Sequence, residues 1–280
     1  MDQLAHLLPS FFIIGERKCG TSSLFRYLIE HPQVLPGRLK EPNFFAQGDL
    51  AYLQANWDSY LQNFPAAETQ AQILHWPELD EAGQLFEEKI SFRPDNQGRS
   101  ILTGEASANT FYQVSPLHVK ALLPEVKLLI VLREPVARAY SHYRMYQRFA
   151  AEGRELPVEL VGFEKDLKEE VRRFRQGEKT EFVGPGVYWQ SLARWEACFG
   201  RDKMLVLLSD ELNEEVSCRL ALDRVAQFLD LPPFPASQAL ARYNVAPPSA
   251  IPPAMAKWLR DFYVPHNQKL TQWLGRELPW

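Results

Sequence analysis

Gly15-Glu16-Arg17-Lys18-Cys19-Gly20-Thr21-Ser22-Ser23-Leu24 follows a short apolar run, Phe11 to Ile14, and opens a helical pattern. A strand that turns through glycines into a helix start is a phosphate cradle. The unpaired N–H groups of the first helical turn converge on anionic oxygens, and the helix dipole adds partial positive charge there. The pattern therefore predicts a strand–loop–helix unit with an anion at the turn. A triphosphate loop reads G-x-x-x-x-G-K-[ST], its lysine reaching the β/γ-phosphates and the next hydroxyl holding magnesium. Here the glycines keep that spacing, but Thr21 stands where the lysine belongs and Lys18 lies earlier, inside the loop. A shorter anionic group, held by amides, hydroxyls and one lysine, suits this loop better than ATP with magnesium. The strongest later strand, Lys127 to Leu132, runs into Arg133-Glu134 instead of an aspartate, so metal-dependent phosphoryl transfer is disfavoured and no metal site is expected.

Beyond the loop, Leu24, Phe25, Leu28 and Ile29 keep helical spacing until His31-Pro32. An aromatic helix is expected over Tyr52 to Phe64. The pattern over 66–99 is weak, which fits either a lid or acceptor-binding loop or a solvated excursion with a short hairpin. A strand at Ile101 to Thr103 enters Gly104 to Asn109, and a helix from Pro116 to Leu123 precedes Lys127 to Leu132. Pro135 fits the first position of a helix over Val136 to Phe149. Phe163 to Gln176 reads as a charged helix with a solvated face. Gly184-Pro185-Gly186 opens a helix ending near Phe199, and Lys203 to Leu208 is a strand. Leu212 to Leu229 is amphipathic, Leu231 to Pro253 irregular, and two short helices close the chain. Strands alternating with helices imply an α/β fold with a largely parallel sheet. Ligands bind such sheets at the carboxyl ends of the strands, which singles out Lys18 to Ser23, Glu105 to Asn109 and Arg133 to Ser141. Neither an internal repeat nor a linker interrupts the pattern, so 1–280 reads as one domain.

A net charge of −4 over 280 residues argues against nucleic acid as a partner. Cys19, Cys198 and Cys218 lack metal-ligand spacing and read as reduced thiols, with Cys19 filling a tight turn. The first nine residues lack a signal peptide's basic region and apolar core, and no apolar run approaches a membrane span, so a cytoplasmic protein is expected.

Two segments together resemble a known family. Ile14 to Leu24 resembles the 5′-phosphosulfate loop of sulfotransferases that use 3′-phosphoadenosine 5′-phosphosulfate (PAPS). Leu129-Ile130-Val131-Leu132-Arg133-Glu134-Pro135-Val136-Ala137-Arg138-Ala139-Tyr140-Ser141-His142-Tyr143 looks like their 3′-phosphate motif. Further similarity lies in Lys40-Glu41-Pro42-Asn43-Phe44-Phe45, Gly104-Glu105-Ala106-Ser107, Gly186-Val187-Tyr188 with Trp195, and Pro265 to Trp280. It extends over nearly the whole chain and points to bacterial members and the heparan-sulfate N- and 3-O-sulfotransferase branch. The resemblance implies a P-loop-like three-layer α/β fold, its largely parallel central sheet flanked by helices. It also implies in-line transfer of SO3 from PAPS to a hydroxyl, in preference to an amine, without a metal, leaving adenosine 3′,5′-bisphosphate (PAP).

Carried onto this chain, the resemblance makes Lys18 the group that neutralises charge on the bridging oxygen. Arg17, Cys19, Gly20, Thr21, Ser22 and Ser23 join Lys18 around the 5′-phosphosulfate, Arg133 and Ser141 take the 3′-phosphate, and Tyr188 with Tyr243-Asn244 contacts adenosine. Glu41 is the candidate base, its backbone restrained by Pro42, with Phe44 and Phe45 walling the acceptor. Other sulfotransferases use histidine, which keeps His75 and His142 in play. Glu105 orients Lys18 or binds acceptor. Heparan enzymes carry a lysine after the equivalent of Glu105, and here Ala106 replaces it. A lipid, polyketide, small alcohol or sparsely charged saccharide is then the expected acceptor. A metal-dependent nucleotide or small-molecule kinase and a non-catalytic nucleotide-binding protein are the rival readings, and a mere binder needs neither Lys18 nor Glu41. The sequence assigns no oligomeric state.

Overall fold

The computed structural model describes residues 6–79, 85–92, 100–238, 240 and 250–280. In chain order its elements are β1 (Phe11–Gly15), α1 (Thr21–Ile29), α2 (Leu50–Ala55), α3 (Trp57–Leu61), β2 (Ala71–Leu79), β3 (Leu85–Ser91), β4 (Gly104–Glu105), α4 (Thr110–Gln113), α5 (Pro116–Leu122), β5 (Lys127–Leu132), α6 (Pro135–Ala151), α7 (Phe163–Arg175), α8 (Tyr188–Phe199), β6 (Met204–Leu208), α9 (Glu215–Leu229) and α10 (Pro253–Leu274). Consecutive apolar residues make β1 and β5 strands that are buried on both faces, as interior parallel strands must be. The sheet runs β4-β1-β5-β6 with every pairing parallel. Phe11, Ile13, Leu129, Val131 and Leu207 project to one side and pack with residues of α1 and α9. Phe12, Ile14, Leu128, Ile130, Leu132 and Val206 project to the other, against α8 and Leu270 of α10. This alternation yields three layers. A third apolar cluster, including Tyr143, Val171, Phe182 and Tyr263, joins α6, α7 and α10 beside the sheet.

Because all four strands run the same way, the loops after β1, β4 and β5 gather at one sheet edge. Close backbone approach holds β4 there. A Cβ on Gly104 would stand 2.3 Å from the Phe11 carbonyl oxygen and 2.7 Å from its ring. Gly104→Ala is therefore expected to destabilise the fold by about 3 kcal/mol or more. Urea denaturation reads this as a lowered midpoint at unchanged slope.

Three elements differ from the sequence expectation, and 66–99 contains the short hairpin that one of its two readings anticipated. The aromatic helix of Tyr52 to Phe64 breaks into α2 and α3 at Asn56, whose side-chain amide donates to the Tyr52 carbonyl (2.9 Å) in competition with helix continuation. Tyr52 is consequently exposed while Tyr60 and Phe64 are buried. The extended chain at Ile101 to Thr103 bridges Leu102 to Val34, and the strand paired with β1 begins at Gly104. The two expected C-terminal helices form one, α10, with Pro265 inside it. Packing of α10 on α6 and α8 overrides proline's local cost of about 3 kcal/mol. Within 66–99, β2 and β3 form an antiparallel hairpin docked on α1 through Phe25–Trp76 (6.1 Å between rings) and an Arg26–Glu88 ion pair. Residues 80–84 and 93–99 of that excursion lie outside the described residues, as do Tyr243 and Asn244. Among the described residues, no helix is long and apolar enough to cross a membrane.

Candidate active site

The first anion loop is built by its backbone. Glu16 N–H donates to the Val131 carbonyl of β5 (2.9 Å), and Cys19 N–H returns to the Glu16 carbonyl (3.1 Å). Lys18 and Gly20 then adopt left-handed backbone, φ 69° and 100°. Glycine does this without penalty, whereas a lysine there costs about 1 kcal/mol. Gly20 stands at the N-cap of α1 and has no side chain with which to accept from the first-turn amides.

The second candidate anion segment meets this loop directly. Arg133, at the end of β5, donates from Nη1 to the Lys18 carbonyl (3.1 Å), and the Tyr188 hydroxyl donates to the Arg133 carbonyl (2.8 Å). The Cys19 sulfur lies 3.7 Å from the same hydroxyl. Burial pushes the Cys19 thiol up to about 12, so it is no nucleophile. Ser141 is half-buried on α6. Lys18, Cys19, Arg133 and Tyr188 thus form one contact network.

Beneath the loop lies a largely buried polar layer, of which sequence reasoning named Arg17 and His142 but not Glu170 or Glu181. Arg17 pairs with Glu181 (2.9 Å) and reaches the Tyr146 hydroxyl (3.3 Å). Glu170 of α7 turns inward and accepts the N–H groups of Glu181, Phe182 and Val183 (2.9, 2.8 and 2.7 Å), fixing the strap that carries Glu181. Only the rest of α7 is the solvated face the Lys/Glu alternation predicts. Burial raises Glu16 to about 7 against the opposing charge of Arg138. His142 is 1% exposed, between the rings of Tyr146 (4.7 Å) and Phe182 (5.2 Å). Burial and the charge of Arg138 hold its imidazole well below the usual range, hence neutral.

On the opposite flank, residues 38–40 join the hairpin edge. His75 N–H donates to the Arg38 carbonyl (2.6 Å) and Lys40 N–H to the His75 carbonyl (3.3 Å). Buried Lys40 holds the Glu41 carboxylate and places its ammonium 4.9 Å from the Trp76 ring centre. Glu41 keeps its side chain 26% exposed. Asn43, in left-handed backbone, donates its N–H to Ser107 Oγ (3.1 Å). Ser107 in turn donates to Glu105 (2.6 Å), whose other oxygen accepts from the Tyr60 hydroxyl (2.5 Å). Glu105 is wholly buried. Burial raises its carboxyl to about 7, against the hydrogen bonds of Ser107 and Tyr60.

The inward turn of Glu105 makes it a structural hub below the Glu41 loop, with no face to solvent. Phe44 and Phe45 are buried too. Phe44 stacks on Tyr60 (4.4 Å) and Phe45 approaches Phe12 (5.9 Å), so these rings form the floor of the loop. His75 stands half-exposed on the hairpin, its Nδ1 3.0 Å from Glu87. Ser107 and Glu105, two positions apart in an extended segment, share a face, a signal the sequence did carry. Nothing local announces Tyr60, Glu170 or Glu181. Among the described residues, no group of three or more His, Cys, Asp or Glu side chains is placed to hold a metal ion.

Known proteins share this architecture. A family model described as the sulfotransferase family matches residues 9–187. The chain belongs to the sulfotransferase family. It is 28% identical over 311 residues to carbohydrate sulfotransferase 15 of Rattus norvegicus, an alignment covering 96% of this chain and 54% of that protein. It is 26% identical over 302 residues to heparan sulfate glucosamine 3-O-sulfotransferase 5 of Mus musculus, covering 100% and 76%. The chain thus spans about half the length of the carbohydrate sulfotransferase 15 relatives. A sulfotransferase crystal structure from Alicyclobacillus acidocaldarius superposes with a TM-score of 0.65 at 24% identity, covering 97% of this chain and 98% of that one, and shares its fold.

Proposed function

We propose that this chain, as one domain, transfers a sulfuryl group from PAPS to a hydroxyl, preferred over an amine, on a sparsely charged saccharide. The observation that carries the donor assignment is the Arg133–Lys18 contact, which joins two anion-binding segments at one sheet edge. PAP has a phosphate at each end of its ribose, and adjoining anion sites of this kind suit it. The donor set fits: first-turn amides and the hydroxyls of Thr21, Ser22 and Ser23, with Arg17, Lys18 and Cys19, surround the 5′-phosphosulfate. Arg133 offers a planar fork and Ser141 a hydroxyl to the 3′-phosphate, and Tyr188 borders the nucleoside.

The acceptor oxygen forms a bond to sulfur as the bond from sulfur to the bridging phosphate oxygen breaks. Its proton passes to Glu41, while Lys18 neutralises the charge gathering on the leaving oxygen. Exposure favours Glu41 over enclosed His142. His75, paired with Glu87, is the secondary choice for base. The saccharide assignment draws on the relatives, which are carbohydrate and heparan sulfate sulfotransferases, and its sparse charge on Ala106 in place of the heparan enzymes' lysine. Three free thiols suit a reducing, cytoplasmic compartment. A triphosphate kinase would need its lysine at Thr21, and a non-catalytic binder would have no use for Glu41.

Calorimetry tests the donor. PAP is expected to bind without added metal, and more tightly than ATP with magnesium. Preference for ATP–magnesium would overturn the assignment in favour of phosphoryl transfer.

A further inference from the structure

Two buried charges lie beneath the first anion loop, on segments remote in sequence. Glu16 is 2% exposed and Arg138, on α6, is 0% exposed. Glu16 Oε1 accepts the Arg17 N–H (2.7 Å), while its Oε2 meets no donor among the described residues. Arg138 donates from Nη2 to the Phe182 carbonyl, and its Nε and Nη1 meet no acceptor among the described residues. A guanidinium keeps its proton, so its charge stays in the core and needs a compensating one. The two are joined geometrically through Arg17, next to Glu16, its partner Glu181, and the adjoining Phe182 carbonyl that Arg138 holds, and across this layer their opposite charges attract. Arg17, Glu181, His142, Cys19, Tyr188 and Tyr263 also border the two charges.

The connections of each residue suggest what the attraction does. Glu16 begins the first anion loop and is tied by its own backbone to β5 and to Cys19. Arg138 sits on the helix that follows Arg133 and grips the strap whose Glu181 holds Arg17. We propose that Glu16 and Arg138 are a positioning pair of the donor site, holding the first anion loop against the strap of Glu181 and Phe182 and against the helix that carries Ser141 of the second. The inference rests on the reading that both segments bind one donor molecule.

The sign of one substitution separates positioning from simple electrostatics. Removing the Glu16 anion beside an anion site would, by charge alone, tighten binding of PAP. Weaker binding in Glu16→Gln can therefore arise only from lost geometry. The experiment uses the full chain with Glu16→Gln, Arg138→Lys, Arg138→Met and the Glu16→Gln/Arg138→Met double variant. It measures thermal midpoints and PAP affinity by calorimetry. Each single loss is expected to lower the midpoint, and the double variant to lie above the sum of the singles, because removing both partners leaves no unpaired buried charge. Glu16→Gln is expected to weaken PAP by about 10-fold, and Arg138→Lys to retain more affinity than Arg138→Met.

PAP binding to Glu16→Gln that is unchanged or tighter overturns the proposal, as do additive effects of the two positions. Should Arg138→Met fail to fold, Glu16→Gln and Arg138→Lys complete the comparison. Failure of the unmodified chain to bind PAP would instead remove the donor reading itself, a result visible before any variant is made.

Discussion

Lys18→Ala is expected to lower kcat by about 10²- to 10³-fold, the usual loss when one group that stabilises developing charge is deleted. Lys18 stands in the middle of the first anion loop with its backbone left-handed, and Arg133 clasps its carbonyl. A strained conformation at a non-glycine residue persists only where the surroundings over-determine it, and such residues cluster at functional sites. The charge that Lys18 meets grows as the bridging bond breaks, so its removal should act on kcat more than on the KM for PAPS. Lys18→Gly supplies the control. Glycine relieves the left-handed strain, so this variant should unfold at or above the unmodified midpoint while losing as much turnover. A kcat within a few-fold of the unmodified value would sink the role. An equal rise in KM at constant kcat would make Lys18 a binding group only.

The loop that carries Lys18 was legible because it is local: strand, glycine turn and helix start lie within fifteen residues. β1 and β5 were legible for a related reason, since strands buried on both faces are apolar without interruption. β6 was offset by only one residue, from Lys203 to Met204. What stayed hidden is long-range. Tyr60 reaches Glu105 across 45 residues, and the helix period around Tyr60 announces only an apolar face. Glu170 lies in a Lys/Glu alternation typical of a solvated helix, yet it alone of those carboxylates turns inward to collect three backbone N–H groups. Phe44 and Phe45 read as a wall because two aromatics beside a candidate base look like a pocket lining. The stacking partner Tyr60 decides that they are a floor, and only the fold supplies Tyr60. The hairpin was one of the two readings of 66–99, and what stayed hidden is how it docks. Its inner face is anchored to α1 by an ion pair, Arg26–Glu88, as much as by apolar alternation.

Glu41→Gln is expected to reduce turnover by about 10²- to 10⁴-fold, the range for loss of a positioned base, and to leave PAP affinity within about two-fold. The amide is isosteric and can still accept a hydrogen bond from Lys40, so the loop should keep its form, but it cannot take the acceptor's proton. Lys40, Asn43 and the Ser107–Glu105–Tyr60 chain hold the Glu41 loop, leaving the carboxylate partly exposed. His75→Ala and His142→Ala complete the comparison. If His75 were the base, its loss would match the predicted Glu41 effect while Glu41→Gln stayed active. His142→Ala should instead lower thermal stability, since it empties a site packed between Tyr146 and Phe182. Turnover in Glu41→Gln close to that of the unmodified chain would transfer the proton to another residue, with His75 on the neighbouring hairpin strand the first to examine.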